Sequence, residues 1–159
     1  MTHEVRLRQV EDRDLEVFFD HQADPIANGM AAVPARDKDE FAAHWAKIRG
    51  DDTKILRTIV ADGAVAGNVV SWEQDGQQML GYWVGRDLWG RGVATQALTQ
   101  FLIEMPTRPL TAHVVAHNAG SIRVLEKCGF QRDRAQEATA PPPDDGIQEY
   151  VYVLAAPQA

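Results

Sequence analysis

A chain of 159 residues has the length for one domain with a sizeable core, and its 45% apolar and 25% charged composition is that of an ordinary soluble globule. The net charge of −7 argues against general nucleic-acid binding, and the single cysteine, Cys128, excludes an internal disulfide framework. No apolar run nears the roughly 20 residues of a membrane span, and the charge-bearing first residues do not read as a signal peptide, so a cytoplasmic protein with no membrane or nucleic-acid partner is expected.

Glu4 to Val10 alternates apolar and charged residues imperfectly and predicts a first strand at or near a sheet edge. Asp12 or Asp14 is placed to cap a helix running to about His21, with Leu15, Phe18 and Phe19 on its inner face. Pro25, Gly29 and Pro34 make residues 23–35 a loop or broken helix. Asp37 to Ile48 reads as helix, since Phe41, Trp45 and Ile48 recur at helical spacing. Ile55 to Ala61 and Val65 to Trp72 flank Asp62-Gly63 as a hairpin, and Asp75-Gly76 turns the chain into Met79 to Val84. A helix from Gly92 to Glu104 stops before Pro106. Leu110 to Ala116 predicts a strand, Ser121 to Lys127 a short helix closed by Gly129, and Phe130 to Arg132 with Glu149 to Leu154 a last strand pair. A long connection carrying Pro141-Pro142-Pro143 joins that pair. Residues 1–159 thus form one domain of α+β or mixed α/β class, a mostly antiparallel sheet with helices on both faces.

The segment with most chemical content runs from Gly81 to Leu98. The strand Tyr82, Trp83, Val84 leads into a loop, Trp89-Gly90-Arg91-Gly92-Val93-Ala94-Thr95, that opens directly into a helix. Glycines let backbone approach a bulky anion, and the free N–H groups of a helix start attract phosphate. The loop lacks the Lys-Ser or Lys-Thr of a nucleotide P-loop, and Thr95 stands where a dinucleotide fingerprint has its third glycine. A tight strand-to-helix turn without a ligand would use the same glycines.

A second segment, LTAHVVAHNAGSIRVLEKCGF from Leu110 to Phe130, follows at a set distance. The pair, in order and spacing, resembles the GNAT superfamily of N-acetyltransferases, most closely the branch of ribosomal-protein-alanine acetyltransferases. The resemblance covers roughly Gly81 to Asp133 and departs from the usual loop at Trp89, where Gln or Arg is common. It implies a GNAT-like fold whose central strands splay around an acyl-CoA site, with acetyl-CoA as co-substrate and no metal. It implies pyrophosphate held by the backbone of Trp89 to Thr95 with Arg91 at the rim, and pantetheine paired to the backbone of Tyr82, Trp83 and Val84. A backbone N–H at Val84 or Trp83 would face the thioester carbonyl, and the Asn118 amide would bond the cofactor, although Asn118 can equally cap the helix that follows.

The family often places a Tyr to protonate the leaving thiolate where this chain has Leu125; Ser121, on the same helical face, is the nearest replacement. Some members carry a Glu on the strand before the loop, where this chain has Gln78, which leaves Glu73 as candidate base. His21, His44, His113 and His117 titrate in a useful range, with His113 expected in the core; His113 and His117 do not have metal-ligand spacing, and Cys128 has no activating partner for covalent catalysis. Phe18, Phe19, Asn28, Met30, Phe41 and Trp45 are candidate acceptor-site residues. The expectation is an N-acetyltransferase acting on a primary amine, a small molecule or a protein N-terminus, by direct attack in a ternary complex. A non-catalytic acyl-CoA-binding sensor or scaffold is the rival, and a homodimer is one assembly considered.

Overall fold

The computed structural model describes residues 3–32, 34–141 and 146–156. Among these, seven strands form one sheet in the order β1-β2-β3-β4-β5-β7-β6. β1 (Val5–Arg8) is the edge strand expected from its charges. β2 (Ile55–Ala61), β3 (Ala64–Gln74) and β4 (Gln77–Val84) continue the sheet as antiparallel hairpins. Their turns place Asp62, Gly63, Asp75 and Gly76 at positive φ, the signature of two-residue hairpin turns. β5 (Leu110–Val115) lies parallel to β4, while β6 (Gln131–Arg132) and β7 (Glu149–Leu154) close the far edge antiparallel. A register shift opposite Ile59/Val60 adds one residue to β3 beside Ala66, a bulge that alternation alone does not reveal.

One face of the sheet packs on α4 (Val93–Glu104) and α5 (Ala119–Lys127), burying Val69, Leu80, Leu98, Phe101, Leu110 and Leu125. The other face carries α1 (Asp14–Ala23) and α3 (Lys38–Arg49), with Phe18, Phe41, Trp45 and Ile48 at its centre. Between them lies α2 (Pro25–Ala31), started by the Asp24 carboxylate on the Ile26 N–H at 2.9 Å and by Pro25 in the first turn. The broken-helix reading of residues 23–35 therefore resolves into a helix of two turns.

Asp14 does not cap α1. Its carboxylate is fully buried inside the first turn, where it accepts two hydrogen bonds from Arg8 at 2.7 and 2.8 Å. It also accepts from the Thr58 hydroxyl at 2.7 Å and the Glu11 N–H at 2.8 Å. Those contacts tie β1 and β2 to α1. α6 (Arg134–Thr139), capped by Asp133, occupies part of the long connection that reads as loop in sequence. Pro142 and Pro143 lie outside the described residues.

Candidate acyl-transfer site between β4 and β5

β4 and β5 meet only at Gln78↔Leu110 and Met79↔Thr111. Beyond Met79 they separate, and the gap becomes a cavity of about 590 Å³. Its walls are the end of β4, the loop to α4, the start of α5, and Ala27, Met30 and Ala31 of α2. Tyr82, Trp83, Val84, Trp89, Gly90, Gly92, Val93, Ala94, Thr95, Asn118 and Ser121 all line it, so the two sequence segments converge on one space. Arg91 is exposed and does not line it; the cations on the wall are Arg123 and Lys127 of α5. Those two lie an i, i+4 pair apart, a spacing that identifies one helix face and was available in the sequence.

The loop is shaped as an anion cradle. Gly90 and Gly92 have φ of +74° and +80°, a region that other residues enter only with strain. A Cβ on Gly90 would meet nothing within 4 Å, and one on Gly92 only Gln96 Nε2 at 3.9 Å, so both face open space. Gly92 starts α4 without a side-chain cap, and the first helical bond runs from Gln96 N–H to the Gly92 carbonyl at 3.1 Å. The N–H groups of Val93, Ala94 and Thr95 are therefore left without helical acceptors at the positive end of a twelve-residue helix. The donor set fits a pyrophosphate.

The β4 backbone is divided by its hydrogen-bond phase. In an antiparallel ladder successive residues turn their N–H and C=O alternately to one neighbour and to the other. The Gly85 N–H bonds the Ala66 carbonyl at 2.9 Å, and Gln74↔Gln77 closes the Asp75-Gly76 turn, so odd-numbered β4 residues face β3. Tyr82 and Val84 face the gap, whereas the Trp83 N–H is committed to β3. This corrects the expectation that Trp83 could offer its N–H to a thioester. The Val84 carbonyl is also occupied, accepting from Trp89 Nε1 at 2.9 Å. The groups left for a ligand are the Val84 N–H and both backbone groups of Tyr82. That use of Trp89, a departure from the usual loop residue, fixes the indole against the strand end.

Leu125 is 1% exposed and belongs to the core, so the position that carries Tyr in many relatives does not reach the cavity here. A phenol arrives from the strand instead. The Tyr82 hydroxyl lies 2.6 Å from Ser121 Oγ and 3.3 Å from the Ser121 carbonyl oxygen. Burial pushes this phenol up to about 12 against a smaller opposing effect of the Ser121 bond. It is a neutral hydrogen-bond donor at any ordinary pH. Sequence spacing missed Tyr82 as a side chain because it drew attention only to the strand's backbone.

Asn118, not Ser121, caps α5: its Oδ1 accepts the Ser121 N–H at 3.2 Å. Its Nδ2 makes no hydrogen bond among the described residues and remains at the cavity wall. Glu73 is not brought to the site. It is exposed, pairs in register with Gln78, and lies about 13 Å along the strand direction from Tyr82 at about 3.3 Å per residue. Gln78 itself donates to Ser71 Oγ at 2.7 Å.

The histidines also divide. His113 is exposed rather than core and bonds Glu149 Oε1 at 2.7 Å. His21 is half-buried behind Gly85, and desolvation lowers its pKa. His117 lines the cavity, where its Nε2 contacts the Gly29 carbonyl at 3.0 Å and ties α2 over the opening. Cys128 lies outside the lining, and burial raises its thiol, consistent with no nucleophilic role. No grouping of His, Cys, Asp and Glu among the described residues has the arrangement of a metal site.

A second cavity of about 380 Å³ opens on the α1/α3 face. Tyr82 and Trp83 line both spaces, so the end of β4 is the wall between them. Phe18, Phe41 and Trp45, three of the residues expected to line an acceptor site, line this second cavity. Met30 belongs to the first cavity, and Phe19 packs in the α1/α3 core. Asn28 lines neither; its Nδ2 bonds the Gln22 and Asp24 carbonyls, joining α2 to α1. His44 is the titratable base here, lowered by burial and then by Arg36, Lys47 and Lys54.

A family model described as Acetyltransferase (GNAT) domain matches residues 4–131. An uncharacterized N-acetyltransferase p20 of Bacillus licheniformis is 24% identical over 147 residues, covering 83% of this chain and 82% of that one. Among solved structures, a spermidine N-acetyltransferase from Vibrio cholerae, in complex with CoA and spermine, superposes with a TM-score of 0.75 at 16% identity, covering 94% of this chain and 92% of the other. A ribosomal L7/L12 alpha-N-protein acetyltransferase in complex with CoA superposes with a TM-score of 0.73 at 14% identity, covering 96% and 94%. The ribosomal-protein branch is thus one of several neighbours and is not singled out. Among the described residues no helix is long and apolar enough to cross a membrane.

Proposed function

This chain belongs to the GNAT acetyltransferase family, and we propose that it transfers the acetyl group of acetyl-CoA to a primary amine by direct attack, with both substrates bound. The observation that carries this reading is the divergence of β4 from β5 at Met79. It opens a cavity with unpaired backbone donors at both ends and the Tyr82–Ser121 pair beside them.

The pyrophosphate takes the N–H groups of Val93, Ala94 and Thr95, with Arg123 and Lys127 supplying charge from α5. The pantetheine arm pairs with Tyr82 as a short added strand. The thioester carbonyl then faces the Val84 N–H, whose other side is locked by Trp89 on the carbonyl. A fixed donor at a developing oxyanion is worth about 3 kcal/mol.

The acceptor enters from the second cavity and loses a proton to His44, directly or through water. Its nitrogen lone pair forms the new C–N bond as the carbonyl electrons move onto oxygen. When the carbonyl re-forms, the C–S bond breaks and the electron pair leaves on sulfur. The attacking nitrogen sheds its second proton, which ends on the thiol. With Tyr82 donating to Ser121 Oγ, the Ser121 proton is free to point at that sulfur. A phenol held at about 12 does not itself become the proton source for an alkyl thiolate with an ordinary pKa near 8.5. Tyr82 polarises Ser121, and the pair stabilises the departing thiolate by hydrogen bonding.

Initial rates over a grid of acetyl-CoA and amine concentrations test the direct mechanism. Intersecting double-reciprocal lines are expected. Parallel lines, with an acetylated enzyme detected by mass, would replace direct attack with a covalent route.

A further inference from the structure

The second cavity carries a charge opposite in sign to the protein as a whole. Net charge is −7, yet the charged side chains lining this cavity are Arg36 and Lys54, and among the described residues no Asp or Glu lines it. Arg36 is exposed and forms no ion pair among the described residues, whereas Lys54 Nζ is 3.5 Å from Asp51 outside the lining. The positive field is felt at His44, whose pKa Arg36 and Lys54 help to lower.

The uncharged part of the wall is equally selective. Phe18 and Trp45 pack as tilted rings with centroids 5.0 Å apart, and Phe41 and Trp45 likewise with centroids 6.1 Å apart. Trp72 closes the floor over Gly81, where an added Cβ would come within 3.2 Å of the indole. Two buried nitrogens of lining residues, Gln22 Nε2 and Trp83 Nε1, find no acceptor in the protein. Gln22 is only 9% exposed. Buried donors without acceptors are rare, but both nitrogens are shielded from solvent, so selectivity rests on the aromatic wall and the two cations.

We infer that the acceptor is a small amino acid-like amine, with an apolar body against the aromatic wall and a carboxylate answering Arg36 and Lys54. The inference rests on the acyl-transfer reading above and names its substrate class. A polyamine brings several ammonium groups to a wall with two cations and no carboxylate, so it is selected against. The same field lowers the pKa of the bound amine, because a second positive charge favours the neutral form. Carboxylate pairing thus holds a substrate whose ammonium the pocket would otherwise repel, and the repulsion helps expose the nitrogen lone pair.

The test compares matched acceptors at saturating acetyl-CoA: phenylalanine with phenylalaninamide, aminocaproate with hexylamine, and spermidine. The acid member is expected to have a kcat/KM about tenfold higher or more, the scale of a charge-assisted pair. In an Arg36→Gln/Lys54→Gln variant that ratio is expected to fall toward one. Preference for spermidine or for the member without a carboxylate overturns the inference, as does a ratio that survives in the double variant. If none of these amines is acetylated, thermal shifts of the protein with CoA and each pair decide it; equal shifts for acid and amide overturn it. If acetyl-CoA itself neither binds nor turns over, the acyl-transfer reading fails instead, and the acid-against-amide shift still reports on the pocket's charge.

Discussion

The Tyr82 phenol oxygen and the Ser121 hydroxyl oxygen lie 2.6 Å apart, joining the strand that forms one wall of the β4–β5 gap to the helix that forms the other. The contact is possible because Leu125, four residues beyond Ser121, is drawn fully into the core and seats α5 with Ser121 turned to the cavity. Tyr82→Phe removes the donor while keeping the ring, and kcat is expected to fall about tenfold or more. Because burial holds the phenol at about 12, activity loses little to its ionisation across the ordinary pH range. A descending limb near pH 10 that disappears in Tyr82→Phe would contradict this assignment.

Asn118 has two separable roles. Its Oδ1 caps α5 and its Nδ2 is left for a ligand. Asn118→Ala removes both and is expected to cost about 1 kcal/mol, or about 3 °C in Tm, along with acetyl-CoA affinity. Asn118→Asp keeps the cap acceptor, removes the amide donor and adds a negative charge. It should hold its Tm and still bind acetyl-CoA more weakly; unchanged affinity in the Asp variant makes Asn118 a cap alone.

The Asp14 carboxyl couples acid to stability. Burial pushes it up, but Arg8, the Glu11 N–H and Thr58 outweigh burial and hold it at about 2, against an ordinary 3.8. A depressed carboxyl stabilises the fold above its unfolded value, and that contribution fades as pH falls through the folded value. The shift corresponds to about 2 kcal/mol at neutral pH, lost between about pH 5 and pH 2. Denaturant titrations of wild type and Asp14→Asn should differ most at neutral pH and converge in acid. A gap that is constant with pH would show that the linkage lies elsewhere.

Much of this architecture is legible in the sequence because local chemistry and global fold agree. Asp-Gly pairs fix the hairpins, Phe41, Trp45 and Ile48 mark the buried side of α3, and Gly90 and Gly92 mark the tight loop that opens α4. The losses have physical reasons. Alternation cannot show a bulge, so β3 reads as regular beside Ala66. Asp14 looks like a cap because capping and burial against Arg8 and a distant Thr58 begin with the same residue type. The phase of the β4 ladder depends on where the Asp75-Gly76 turn closes, so the exclusion of the Trp83 N–H needs three dimensions. The second cavity gathers Arg36, Lys54 and Trp72 from three separate segments that share no motif.

The central claim is that acetyl-CoA is held by the loop from Gly90 to Thr95 and donates its acetyl group to an amine. The most direct measurement follows acetylated amine and free CoA thiol together, by mass and by thiol titration, for wild type, Gly92→Ala and Gly92→Glu. The two variants share the backbone strain of a side chain at φ +80°; the Glu alone places a carboxylate where the pyrophosphate binds. The account predicts equal amounts of product and thiol from wild type, and loss of both in folded Gly92→Glu beyond any loss in Gly92→Ala. Thiol release without acetylated product, or Gly92→Glu turning over as well as Gly92→Ala, would contradict it.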